Sequence, residues 1–419
     1  MDRGIKFMSA SEAPYVVITA DTHAGNSIDG YREYLDPALR EEFDAWRGSS
    51  HNQSKKHSDS KRKARNWDAE LRRIELQGDG VVGEVIFPNT VPPFYGKPFH
   101  IAAPPTPEQY RLFRAGTRAH NRWLAEFCQE DPVSRAGIGL IHLNDIDDAI
   151  EDVKWIAENG LRGGVCLPLP APSDTHLPFL NDRALDRLWA VIQDHDLVMN
   201  QHSGQGSPTY SSDQGAKALW AMEMPFYLQR GCSMLIMGGV FERFPRLRYI
   251  LTESGCAWAG DLMQRMDGMY LAWKANAIGE IDTSSDPPIK ELPSTYMKRN
   301  CWYGASFPSP ADIRGREVVG KDRVLWGNDY PHYEGCYPYS RENMRFAFAD
   351  VPEEEVRMML GENAATLYGF DIEALRTRAA EAAITPSLVR EPLLEIPADS
   401  TCITFMRARA ESASRQAQA

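Results

Sequence analysis

Short apolar runs recur along the chain, spaced widely enough to leave room for a helix between most of them. They cover residues 15–20, 81–87, 136–141, 161–167, 197–201, 247–252, 301–304 and 323–327. Each is nearly continuous in apolar residues, the pattern of strands buried on both faces of a parallel sheet. Stretches with apolar residues at helical spacing lie between and after them: 107–128, 145–159, 181–195, 214–230, 257–275, 341–350 and 352–368. Asp145 can cap the second of these, and Gly160 stands just past its end. Eight strands alternating with helices predict an α/β fold of the (β/α)8 TIM-barrel type. A doubly wound open sheet usually carries a glycine-rich phosphate loop after its first strand. Here the first run is followed by Asp21-Thr22-His23-Ala24-Gly25.

Two segments fall outside the repeat. Residues near 47–66 are polar and basic and include His51 and His57. They read as a mobile insertion rather than a nucleic-acid patch. Residues 374–419 are rich in Ala, Arg and Glu, with a short apolar patch at Leu393-Leu394-Glu395-Ile396. The expected organisation is one barrel domain over 1–373 and a C-terminal extension over 374–419. That extension is expected to be helical or partly disordered, or an arm that packs on a partner subunit.

Charge and composition narrow the function. The 419 residues contain 46 Lys and Arg against 58 Asp and Glu, a net charge of −12. That balance argues against general nucleic-acid binding. No apolar run approaches the roughly 20 residues that span a bilayer, and the first fifteen residues lack the apolar core of a signal peptide. The seven cysteines are scattered, without a short motif between any two. Neither a disulfide framework nor a cysteine zinc site is expected, and the reducing cytoplasm is the predicted location.

The chemistry-bearing residues stand at strand ends. Asp21 and His23 are two apart, so in a strand they share a face and can reach one metal ion. His202 ends the fifth run and Asp329 follows the eighth. Barrel active sites lie at the carboxyl ends of the strands, so Asp21, His23, His202 and Asp329 would converge there. A mixed imidazole and carboxylate shell suits Zn2+ first, with Mn2+ and Fe2+ also fitting. His332, three residues after Asp329, is a candidate to bind or polarise substrate. His100 and His142 lie in segments that line a barrel mouth and are substrate candidates. His120, His176 and His195 read as helix or surface residues. Phe94, Tyr95, Tyr210, Trp258, Tyr330 and Tyr333 cluster near the mouth segments, with Trp258 the aromatic substrate candidate. A partly aromatic pocket suits an aromatic or cyclic small molecule.

With these residues in place, the chain resembles the amidohydrolase-related family, the amidohydrolase 2 branch of the amidohydrolase superfamily. The resemblance runs from about Tyr15 to Phe370. It is carried by Asp21-Thr22-His23 and the segments 121–127, 160–163, 239–248, 253–258, 327–332 and 361–369. It implies a barrel with one divalent metal and hydrolase or nonoxidative decarboxylase activity. It also implies a homo-oligomer, a dimer or larger. Two departures matter. The carboxylated Lys that binuclear relatives carry on the fourth strand has no counterpart in 161–167, so one metal is expected. Many members place a His at the end of the sixth strand, where this chain has Glu253.

The reading that follows is a mononuclear metal-dependent hydrolase. A bound divalent cation acidifies water and polarises a carbonyl, with Asp329 as general base and acid. Glu253 would orient the water, bind a cationic substrate group or share a proton with Asp329. The alternative is a decarboxylase of an aromatic or unsaturated acid. Its weak point is Glu253, which repels a substrate carboxylate unless protonated or screened. A third reading is a barrel used only for binding.

Overall fold

A computed structural model describes residues 12–49 and 60–418. Eight parallel strands follow one another in chain order around a single sheet. They are β1 (Ile18–Ala24), β2 (Gly83–Pro88), β3 (Arg135–Leu140), β4 (Gly164–Cys166), β5 (Val198–His202), β6 (Arg248–Thr252), β7 (Cys301–Ser306) and β8 (Val324–Gly327). The circuit closes where the loop after β8 pairs with β1. His23 N donates to Tyr330 O at 2.7 Å, and Asp329 N donates to Asp21 O at 3.0 Å. The fold is therefore the (β/α)8 barrel, and the backbone of the metal-type residues themselves seals it.

Side chains alternate across the barrel wall, as a period of two requires. Ile18, Ala20, Val85, Phe87, Ile138, Leu140, Cys166, Val198, Ile250 and Leu325 form the inner core. Val17, Ile86, Val165, Met199, Leu251, Tyr303 and Trp326 pack outward under the helices. On β1 the alternation breaks once. Thr19 pairs with Glu84 but Thr22 pairs with Ile86, so β1 carries one extra residue. Without that bulge, the inward parity of Ile18 and Ala20 would continue at Thr22. With it, Thr22 turns outward to bond Glu84 and Val85 O, and Asp21 and His23 turn inward. A bulge beside an active site commonly re-aims a side chain in this way.

Most predicted helices are present within a few residues, but Ala216–Met237 runs seven residues past its expected end, Arg40–Gly48 and Pro293–Asn300 have no predicted counterpart, and two further differences bear on the first strand. The stretch 352–368 is not one α-helix: Glu353–Arg357 and Asn363–Tyr368 flank a π-helical turn at Met358–Glu362. A Cβ at Gly361 would lie 1.9 Å from Val16 O, so the turn sits where the helix meets the backbone just before β1. The helix Ala69–Gly78 had no counterpart among the predicted ones. From it, Arg72 reaches Glu84 at 2.6 Å and donates to His23 O at 2.8 Å, which ties the outer face of β1 in place.

Beyond residue 373 the chain forms the helices Pro386–Arg390 and Ile403–Gln418, and the helix Ile372–Ala382 spans the expected boundary. Cys402 and Phe405 are fully buried. Thr401 and Thr404 donate to the carbonyls of Tyr333 and Phe307, both at 2.5 Å, so this segment lies against the loops after β7 and β8. Of the expected mobile insertion, residues 50–59 lie outside the described residues, His51 and His57 among them. Its end does reach the mouth, where the Arg62 guanidinium stacks 3.1 Å over the ring of Tyr333. All seven cysteines are free and buried. Among the described residues no helix is long and apolar enough to cross a membrane.

Candidate metal centre

Strands β1 and β5 and the loop after β8 bring Asp21, His23, His202 and Asp329 together at the carboxyl end of the barrel. His23 Nε2 lies 3.3 Å from Asp21 Oδ1 and 3.2 Å from Asp329 Oδ1, and His202 Nε2 lies 3.4 Å from Asp21 Oδ1. Ligand atoms of Asp21, His23 and His202 all fall within 4.8 Å of one another, as do those of His23, Asp329 and His332.

The hydrogen bonds divide each side chain into a held atom and a free one. His23 Nδ1 faces Pro88 O at 3.1 Å, and His202 Nδ1 faces Ser203 O at 2.9 Å. A carbonyl can only accept, so both Nδ1 atoms carry protons. Ser306 donates to Asp21 Oδ2 at 2.5 Å. Asp21 Oδ1, His23 Nε2, His202 Nε2 and Asp329 Oδ2 are buried and make no hydrogen bond, while Asp329 Oδ1 is ion-paired with His332. A buried polar atom without a partner costs about 1–3 kcal/mol. Four at one point, each on a group whose other polar atom is held, make the donor set a divalent cation needs. These residues fit one such ion.

Two backbone positions are forced. Glu253 and Asp329 have φ of 59° and 58°, in the left-handed region. Each costs on the order of 1–3 kcal/mol in a residue other than glycine, and such strain clusters at functional sites.

The electrostatics follow from burial and close opposite charges. Burial alone would raise Asp21, but His202 and His23 outweigh it and hold the carboxyl well below its usual range. Asp329 is likewise lowered, with His332 and His23 overcoming burial. Burial works against the imidazolium of His202, yet Asp21 and Glu253 raise it to about 10. His332 rises to about 9 because Asp329 Oδ1 lies 2.8 Å from its Nδ1. Glu253 moves the other way. Burial pushes it up to about 8, with Asp329 and Asp21 adding to the rise and His202 opposing.

The remaining candidates separate. The ring of His100 lies 5.6 Å from that of His23 and 5.3 Å from that of His202, so it borders the cluster. Burial, reinforced by His202 and His23, keeps His100 neutral. His142 is buried, bonds the Tyr95 hydroxyl at 3.0 Å, and is lowered to about 3 by burial. Both line a cavity of about 460 Å3 formed by the loops after β2, β3, β4 and β5. Trp258 does not line it; its indole donates to Ser254 O at 2.9 Å and packs edge-on against Tyr303. His120 is on a helix as expected but fully buried, bonded to the Tyr31 hydroxyl at 2.8 Å.

Two contributors were not anticipated. Ser306 was missed because the seventh run was read as ending at residue 304, two residues early. Asn89 directly follows β2; its Oδ1 meets His332 Nε2 at 3.0 Å, and its amide donates to Asn66 Oδ1 at 2.6 Å. Both stand at strand ends, the one positional signal available for them.

Solved structures share this fold. A 5-carboxyvanillate decarboxylase from Sphingomonas paucimobilis superposes with a TM-score of 0.60 at 20% identity, covering 85% of this chain and 99% of that one. An amidohydrolase from Mycobacterium avium subsp. paratuberculosis K-10 gives 0.65 at 18%, covering 85% and 99%. A dihydroxybenzoic acid decarboxylase from Polaromonas sp. JS666, bound to manganese and the inhibitor 2-nitroresorcinol, gives 0.59 at 16%, covering 85% and 97%. The sequence model of the family described as Amidohydrolase matches residues 101–370. With well over half of its length in that match, the chain belongs to the amidohydrolase family.

Proposed function

We propose that this protein is a metal-dependent nonoxidative decarboxylase of an aromatic or unsaturated acid. The observation that carries the reading is the set of buried atoms without hydrogen bonds on Asp21, His23, His202 and Asp329. A charged carboxylate at Glu253 would repel an acid substrate, and a divalent ion held beside it would screen that repulsion. The named activities of two structural neighbours, on 5-carboxyvanillate and on dihydroxybenzoic acid, support the same choice.

Asp21, His23, His202 and Asp329 would hold one divalent ion. Manganese is bound in the Polaromonas neighbour, and zinc fits the same donors. When bound, the ion draws negative charge from substrate oxygens and fixes their position. The chain's own groups do the rest. Asp329, ionised in the free protein, would take up one proton from solvent as the acid binds, and Oδ2, which makes no hydrogen bond, would deliver it to the substrate carbon. As that C–H bond forms, the bond to the carboxyl carbon breaks, its electron pair returns to the ring or alkene, and CO2 leaves. His332, 2.8 Å from Asp329 Oδ1, stabilises the carboxylate left behind.

The test uses protein loaded with Mn2+ or Zn2+ and a panel of carboxyl-labelled hydroxybenzoates. Labelled CO2 released in step with loss of the acid is the expected result. No CO2 from any acid, with esters or amides cleaved and 18O from water entering the product, would replace this reading with hydrolysis.

A further inference from the structure

The cavity beside the metal-type cluster is larger than an acid head group requires. Its volume is about 460 Å3, roughly three times the ~150 Å3 that encloses a single benzene ring. It meets the cluster at His100, which lines the cavity while its ring neighbours those of His23 and His202. Its walls include the buried side chains of Phe99, Leu143, Leu169 and Leu177. Charge is confined to its edge. Lys97 and Lys217 are exposed, and the Asp174 carboxylate accepts from the backbone N–H of Ala171 at 2.8 Å.

Three polar atoms of this lining are buried and unpartnered: His100 Nδ1, Asn144 Oδ1 and Ser207 Oγ. The Asn144 amide nitrogen already donates to Pro105 O at 2.8 Å, which leaves its oxygen as an acceptor. Ser207 can donate or accept. An apolar enclosure with a few isolated polar groups is how proteins bind an organic ligand. With no buried charge in the wall, a charged occupant would go uncompensated.

We propose that this cavity holds the body of the substrate: an uncharged, oxygen-bearing hydrocarbon framework larger than one ring, attached to the acid group that engages the metal cluster. The inference rests on the acid-substrate reading above and extends it to the rest of the molecule.

Calorimetric titration of the full-length protein, Mn2+-loaded and metal-free, tests this with salicylate, 3-hydroxy-2-naphthoate and neutral 2-naphthol. The naphthoate should bind the loaded protein at least about tenfold more tightly than salicylate, because its second ring leaves water. Leu169→Trp, which fills the cavity, should bring the two affinities together. The wild-type ring comparison stands alone if that variant does not fold. Naphthoate binding no tighter than salicylate overturns the proposal, even where salicylate binding requires the metal and the acid reading survives. If naphthoate and 2-naphthol bind alike with or without metal, the cavity assignment holds and the acid reading fails.

Discussion

Toward the N-terminal ends of the strands, Asn200 from the middle of β5 gives its amide to the carbonyls of Gly163, Val165 and Val198 and accepts the Tyr368 hydroxyl at 2.8 Å. Asn300 bonds the carbonyls of Pro245 and Leu247, and Asn363 those of Lys321 and Val324. At the C-terminal ends, the polar side chains do the reverse. Asp21, His23, His202 and Asp329 each keep an inward atom that makes no hydrogen bond. One end of the barrel uses buried polar groups to bind its own chain. The other keeps them available to something that is not the chain. Stability and function are thus assigned to opposite ends of the same strands, as this architecture permits.

Substitutions at the two ends should therefore fail in different ways. Asp329→Asn should lower decarboxylation by about 10²–10⁴-fold, the usual contribution of a positioned acid or base. Its thermal midpoint should hold, because Asn tolerates the left-handed backbone. Rates of CO2 release and a melting curve check both. At the other end, Asn200→Ala should cost about 2 kcal/mol in urea unfolding, since it strands the Tyr368 hydroxyl, and should leave metal stoichiometry unchanged. A drop in bound metal there would show that the two ends are coupled. Ser306→Ala frees Asp21 Oδ2 from its orienting donor and should weaken metal affinity by about tenfold, read by chelator competition.

The smallest effect compares two buried carboxyls. Asp21 is held low by neighbouring imidazoles, whereas burial pushes Asp79 up to about 7, against the opposing hydrogen bonds from Ser340. The folded protein therefore holds the Asp79 proton more tightly than the unfolded chain does. Its contribution to stability is complete below about pH 4 and declines as pH rises to about 7. Asp79→Asn should flatten that part of the stability profile, measured as the unfolding midpoint against pH.

Much of this division was legible in the chain. All eight strands were found within about four residues, the largest miss being the end of β1, because runs buried on both faces are nearly continuous in apolar residues. The positions of Asp21, His23, His202 and Asp329 at strand ends also followed from the sequence. What could not be read was long-range. The bulge that turns Asp21 and His23 inward exists only in the pairing of β1 with β2. Spacing two residues apart implies a shared face but not which face. Asn89 and Ser306 are ordinary polar residues until β2 and β7 bring them to the cluster. The π-helical turn at Met358–Glu362 depends on Val16, more than three hundred residues earlier. Trp258 looked like a pocket residue because aromatics near a mouth often are, yet its indole is taken up by the loop after β6.

The central claim is that the unpartnered atoms at the barrel mouth form a site for one divalent ion. Metal content by mass spectrometry, on wild type and His202→Ala prepared in parallel, tests it most directly. The account predicts about one Mn, Zn or Fe per chain in the wild type and its loss in the variant. No metal in either protein after reconstitution, or two ions per wild-type chain, would contradict it.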